Sequence, residues 1–131
     1  MAPEHTGLRT LDAAQAETLE RLCEAIVPGS ARVGPAIYID ALLARLPEGA
    51  REGAIAAIES LGEIALGGPG ALAERAATPD FLFLRALAVE AYYSDFVAPG
   101  VDAPGAWDEI DFHPPSAALL RKDWSFLGIP G

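Results

Sequence analysis

The amino-acid sequence predicts an all-α protein, a small bundle of about four to five helices with an extended C-terminal tail. Apolar residues recur at helical spacing from residue 12 to residue 96, and no segment in that range alternates as a half-buried strand does. The chain has 131 residues, of which 51% are hydrophobic, enough to build one core. From residue 99 onward this spacing gives way to proline, glycine and aromatic residues.

We therefore expect a single domain over 1–131. It is predicted to comprise a flexible N-terminus (1–10), a helical body (11–98) and an extended wrapping tail (99–131).

The first helix is predicted to begin at Asp12, with Gln15 as its capping-box partner, and to end at Pro28-Gly29. Its buried stripe is expected to contain Leu19, Leu22, Cys23 and Ile26. The opposite face is charged and is expected to meet solvent, through Glu17, Glu20, Arg21 and Glu24.

The second helix is predicted to begin at Gly34-Pro35, because proline in the first helical position loses no needed hydrogen bond, and to end before Pro47. Its apolar stripe is Ile39, Leu42, Leu43 and Leu46. A third helix is predicted from about 48 to 66, ended by Gly67-Gly68. Its inward residues are Ala54, Ile55, Ile58, Leu61 and Ala65. A short helix over 71–76 can follow it.

The clearest local pattern is Thr78 as N-cap with Pro79 in the first helical position, which predicts a helix from 79 to about 94. Apolar residues lie on nearly every side of this helix. In a protein that does not span a membrane, such a helix is surrounded by others or covered by a partner. We expect it at the centre of the bundle.

The tail is unusually aromatic. Nine of the ten aromatic residues lie between Phe81 and Phe126, and four of these are in the tail: Trp107, Phe112, Trp124 and Phe126. Within the tail only 116–122 has the spacing for a turn or two of helix. Because a disordered tail is ordinarily poor in aromatic residues, these rings are expected to be buried. They pack either on the chain's own bundle or on another protein.

The composition excludes several classes of partner. Nine Lys and Arg against 19 Asp and Glu give a net charge of −10, the wrong sign for binding nucleic acid or an anionic membrane surface. No run of 18 apolar residues is present, so no membrane span is predicted. No charged start precedes an apolar run at the N-terminus, so a cytoplasmic location is expected.

Few residues point to chemistry. Cys23 is the single cysteine, and the two histidines are His5 and His113, so no metal site, cofactor site or nucleophile is predicted in this chain. Asp111 and His113 lie in an acidic loop and could act as a general base, although acidic residues in such loops usually cap turns. Whether the chain is an enzyme by itself stays open, and an accessory role is favoured.

Three segments carry a family resemblance. They are the helix-loop-helix LCEAIVPGSARVGPAIYIDALLARLP (22–47), the double tyrosine of AYYSDFVAPG (91–100) and the ending DWSFLGIPG (123–131). In this order the chain resembles the gluconate 2-dehydrogenase subunit 3 family over most of residues 10–130. Its members are the small (gamma) subunits of FAD-dependent sugar and alcohol dehydrogenases.

The resemblance implies a non-catalytic small subunit that binds, stabilises and helps mature a large FAD-dependent oxidoreductase of the glucose–methanol–choline type. FAD is then expected in the large subunit, with a cytochrome c as electron acceptor in some complexes, and export to the periplasm only if the partner supplies a signal. The residues expected to bind the partner are Tyr92, Tyr93, Asp95, Trp107, Phe112, Trp124 and Phe126.

Two alternatives stand beside this one. The first is a small stand-alone lyase or isomerase that uses Asp111 and His113. The second is a helical adaptor for an unrelated partner.

Overall fold

The computed structural model describes residues 7–110 and 124–129. In them the fold is all-α, as predicted, with six α-helices and no strand. The helices are α1 (Ala13–Ile26), α2 (Pro35–Leu43), α3 (Glu48–Ala65), α4 (Pro69–Ala73), α5 (Pro79–Tyr93) and α6 (Ala106–Glu109). Single 3₁₀ turns span Ser30–Val33 and Ser125–Leu127. The turn of helix predicted over 116–122 lies outside the described residues.

The helix starts follow the local sequence. The Asp12 carboxylate accepts a hydrogen bond from the Gln15 backbone N–H at 2.7 Å, and the Gln15 side chain accepts one from the Asp12 N–H at 2.9 Å. At α5 the Thr78 hydroxyl accepts from the Phe81 N–H at 3.4 Å. Both predicted N-caps are confirmed. The short helix α4 begins two residues earlier than predicted because Pro69 takes its first position.

The centre of the bundle is α2, and the prediction that α5 lies there is wrong. Seven of the nine α2 residues are buried, whereas α5 buries only Leu84, Ala88, Ala91 and Tyr92. The short α2 has a single charged residue, Asp40, so it can be enclosed by α1 and α5 at little desolvation cost. The apolar residues predicted to face inward on the first three helices lie against the core, but five of them remain partly exposed: Ile26, Leu42, Leu46, Ile55 and Ala65.

Asp40 is buried and satisfied by backbone groups. Its carboxylate accepts hydrogen bonds from the backbone N–H groups of Arg9, Thr10 and Leu11 at 2.8–2.9 Å. Three charge-assisted hydrogen bonds offset the cost of removing the carboxylate from water. The segment expected to be flexible through residue 10 is therefore fixed on the bundle from Arg9 onward.

The C-terminal turn also packs on the bundle. The Arg9 guanidinium donates to the backbone carbonyls of Leu127, at 3.0 Å, and Gly128, while the Arg45 guanidinium donates to the Phe126 carbonyl. Leu127 and Ile129 are buried. The tail was expected to pack either on the chain's own bundle or on another protein, and the described C-terminal turn packs on the bundle.

Glu20, predicted to face solvent from α1, is instead 8% exposed. Its carboxylate faces the start of α2, where it accepts a hydrogen bond from the Ala36 N–H at 3.4 Å. Burial raises the pKa of Glu20 from its usual 4.5 to about 7, and the Ala36 hydrogen bond lowers it only in part.

The raised pKa of Glu20 predicts a pH-dependent stability. The folded state binds the Glu20 proton more tightly than the unfolded chain does. The resulting destabilisation of the folded state is absent below about pH 4.5, grows between about pH 4.5 and pH 7, and is complete above about pH 7. We expect Glu20→Gln to stabilise the protein by about 2 kcal/mol at alkaline pH and to change little at about pH 4. Urea denaturation at both pH values measures this difference.

Glu17→Gln is the matched control, because Glu17 lies one turn earlier on α1 and is exposed. It should give equal changes at both pH values. A Glu20→Gln effect that does not depend on pH would contradict the assignment.

None of the helices in the described part of the chain has the length and apolar content needed to cross a lipid bilayer.

Candidate partner-binding site

The outer side of α5 carries large apolar side chains that nothing in the described residues covers. Leu82 is 50% exposed, Phe83 42% and Tyr93 46%. They fall on one side of the helix together with Ala86, and Glu90 is the charged residue among them. We call Leu82, Phe83, Ala86, Glu90 and Tyr93 the α5 face. It extends along a helix about 22 Å long.

The double tyrosine at the end of α5 divides between core and surface. Tyr92 is 2% exposed, whereas Tyr93 belongs to the α5 face. Their rings meet edge to face with centroids 5.1 Å apart. The buried ring thus fixes the position of the exposed one, which favours a rigid contact surface.

The Tyr92 hydroxyl connects α5 with the 3₁₀ turn Ser30–Val33 and with α6. The Arg32 guanidinium donates to this hydroxyl at 2.6 Å and to the Glu109 carboxylate at 2.5 Å, and Tyr92 itself donates to Glu109. The same guanidinium lies 5.3 Å from the centre of the Tyr92 ring and donates to the carbonyls of Gly29 and Pro104. This network holds α6 against α5.

Asp95 is a helix cap rather than a surface residue. It is 5% exposed, has φ +64°, and accepts a hydrogen bond from the Trp107 backbone N–H at 3.1 Å. The Trp107 indole N–H in turn donates to the Tyr93 carbonyl at 3.1 Å. A Cβ at Gly105 would lie 2.1 Å from the Asp95 carboxylate, so this approach requires glycine.

The helix α6 corrects the prediction that the tail is extended here. Its cap comes from Asp95, which precedes Trp107 by 12 residues. A four-residue helix with such a distant cap leaves no periodic pattern in the sequence.

Trp124 completes an aromatic cluster that the sequence did not indicate. Its ring lies 5.9 Å from that of Tyr38 and 5.6 Å from that of Phe96, and those two are 5.2 Å apart, all edge to face. Burial raises the pKa of Tyr38, and the nearby Glu90 carboxylate raises it further. Phe126 lies 6.4 Å from Trp124 but is 62% exposed.

The predicted partner-binding residues thus fall into three groups. Two are exposed, Tyr93 and Phe126. The residues that fix the tail to the body are Tyr92, Asp95, Trp107 and Trp124. Phe112, together with Asp111 and His113 of the alternative catalytic loop, lies outside the described residues.

The sequence interpretation missed Leu82 and Phe83 as site residues. The available indication was the apolar composition of α5 on every side, which requires cover for the side turned away from the bundle.

The described residues contain no group of three histidine, cysteine or acidic side chains arranged to hold a metal ion. Cys23 is buried, and this burial, together with the charges of Glu20 and Glu24, raises the pKa of its thiol well above the usual value. The thiol therefore stays protonated and has little reactivity.

Comparison with protein-family models, with curated proteins and with solved structures finds no match to this chain.

Proposed function

We propose that the chain is a non-catalytic small subunit that binds and stabilises a large FAD-dependent oxidoreductase of the glucose–methanol–choline type, acting on sugars or alcohols. The observation that carries the proposal is the α5 face, where three large apolar side chains are 42–50% exposed on a rigid helix. Exposed aromatic and aliphatic groups of this kind mark protein interaction sites. The resemblance to the gluconate 2-dehydrogenase subunit 3 family supports the choice of partner.

The charge of the chain defines the partner surface further. Asp80 at the start of α5 and Glu90 on the face are exposed, and the whole chain carries −10. The matching surface of the large subunit is therefore apolar, with basic groups opposite Asp80 and Glu90. Opposite charges would accelerate association and add little affinity. In this proposal FAD is bound by the large subunit, and a cytochrome c accepts its electrons in some complexes.

The direct test is gentle purification of the tagged chain from its native host, with an absorbance spectrum and a native mass of what accompanies it. We expect a yellow complex with flavin bands, a large second subunit and a mass well above the 13.7 kDa of this chain. A colourless 13.7 kDa monomer, from cells that do make a large flavoprotein, would contradict the proposal. A colourless complex with another protein would instead support the adaptor alternative.

A further inference from the structure

A concave apolar groove lies beside the α5 face. It is formed by the end of α1, the junction of α3 and α4, and the first turns of α5. Its volume is about 440 Å³, within the range of small-molecule sites, which is roughly 300–1,000 Å³. The apolar walls include Ala25, Ile26, Ala65, Pro69, Leu72 and Phe81.

One charged side chain lines this groove, that of Arg85. Arg85 is exposed, and no hydrogen bond or ion pair is found for it within residues 7–110 and 124–129. By contrast, Arg9, Arg32 and Arg45 all donate to groups of the chain itself. Among the described residues the guanidinium of Arg85 therefore has no acceptor, and its planar fork fits a carboxylate.

We propose that the groove binds a small molecule with an aliphatic chain and a terminal carboxylate, of the medium-chain fatty-acid class. The chain lies against Ile26, Leu72 and Phe81, and the carboxylate pairs with Arg85. This site goes beyond the proposed function and does not depend on it.

The net charge of the protein separates specific binding of an anion from a general affinity for amphiphiles. At −10 the protein as a whole repels anions and attracts cations. A general affinity for amphiphiles would therefore favour a cationic one. A preference for the anion therefore requires a local positive group at the edge of the apolar surface.

The experiment titrates the full chain at low ionic strength with decanoate, decanol and decylamine below their micelle concentrations, followed by amide chemical shifts. We expect decanoate to bind most tightly and to shift signals of the groove residues. Affinity should fall by up to about fourfold for each methylene removed, in octanoate and hexanoate. Because Arg85 is exposed, Arg85→Gln should weaken decanoate binding by up to about fivefold and leave decanol binding unchanged.

Arg51→Gln is the matched control, because it removes the same charge at the opposite end of α3, away from the groove. Ala73→Phe should weaken all three ligands by filling the groove, which Ala73 lines. The proposal is overturned if decanoate causes no shifts, if decylamine or decanol binds as tightly as decanoate, or if Arg85→Gln binds decanoate like the unchanged protein.

Discussion

Replacing Leu82 and Phe83 together with glutamate is expected to abolish binding of the large flavoprotein subunit that we propose as the partner. Residues that act as hot spots at the centre of an interface each contribute about 2 kcal/mol or more, so the joint loss of two such residues weakens binding roughly 1,000-fold. The new carboxylates add to this loss, because a charge buried without a partner is costly. The ratio of flavin absorbance to tagged small subunit after purification measures the effect.

The control for this prediction is Leu66→Glu. Leu66 is 79% exposed, more than either target residue, but lies at the C-cap of α3 and not on the α5 face. This variant should retain the flavoprotein. Because Leu66, Leu82 and Phe83 are all at least 42% exposed, both variants are expected to keep their helical circular dichroism and to change the free energy of unfolding by no more than about 1 kcal/mol. Equal loss of flavin in both variants would remove the α5 face from the interface.

The sequence predicted those features of the fold whose causes are local. The caps at Asp12 and Thr78 each bond a residue three positions later, and Pro35 and Pro79 occupy first helical positions. These interactions join residues within one turn of helix, so the local sequence is enough to predict them. The starts of α1, α2, α3 and α5 and the all-α class were accordingly correct.

Features caused by distant contacts were not predictable in this way. Glu20 was assigned to solvent as part of the charged face of the first helix, yet its carboxylate faces the start of α2, 16 residues later. The prediction that α5 lies at the centre of the bundle was wrong for a related reason. Its apolar residues could be satisfied by other helices or by a partner, and periodicity alone does not distinguish the two.

In the candidate site, too, local features were predicted from the sequence and features set by distant contacts were not. The tyrosine pair was found from the sequence, but only the structure separates the buried Tyr92 from the exposed Tyr93. Trp107 was predicted to bind a partner as an aromatic residue of the tail, and Asp95 through the resemblance carried by the segment 91–100. Their hydrogen bonds, to the Tyr93 carbonyl and the Trp107 N–H, show that they fix the tail to the body.

Phe96→Ala is expected to destabilise the protein by about 3–5 kcal/mol, a large part of the roughly 5–15 kcal/mol that a domain of this size has. Phe96 is 0% exposed and its ring meets both Tyr38 and Trp124 edge to face. Its loss leaves a cavity between α2 and the C-terminal turn. Urea denaturation measures the change, and fluorescence from Trp124 should shift towards that of exposed tryptophan.

Phe126→Ala provides the comparison within the same cluster. The same atoms are removed, but Phe126 is 62% exposed, so the expected cost is below about 1 kcal/mol. A double-mutant cycle of Phe96→Ala with Trp124→Ala should give a coupling of about 0.5–1.5 kcal/mol, typical of aromatic pairs in contact. Equal costs at the two phenylalanines, or no coupling, would contradict the packing of the tail on the body.

This packing also determines how the partner must be tested. Deleting residues 99–131 would remove the buried side chains of Ala106, Leu127 and Ile129 along with the ring of Trp124 against Phe96. Loss of the flavoprotein by such a truncation would then follow from an unstable body as well as from a missing contact. Point changes on the α5 face separate the two causes, because they leave the aromatic cluster and the Arg9 contacts in place.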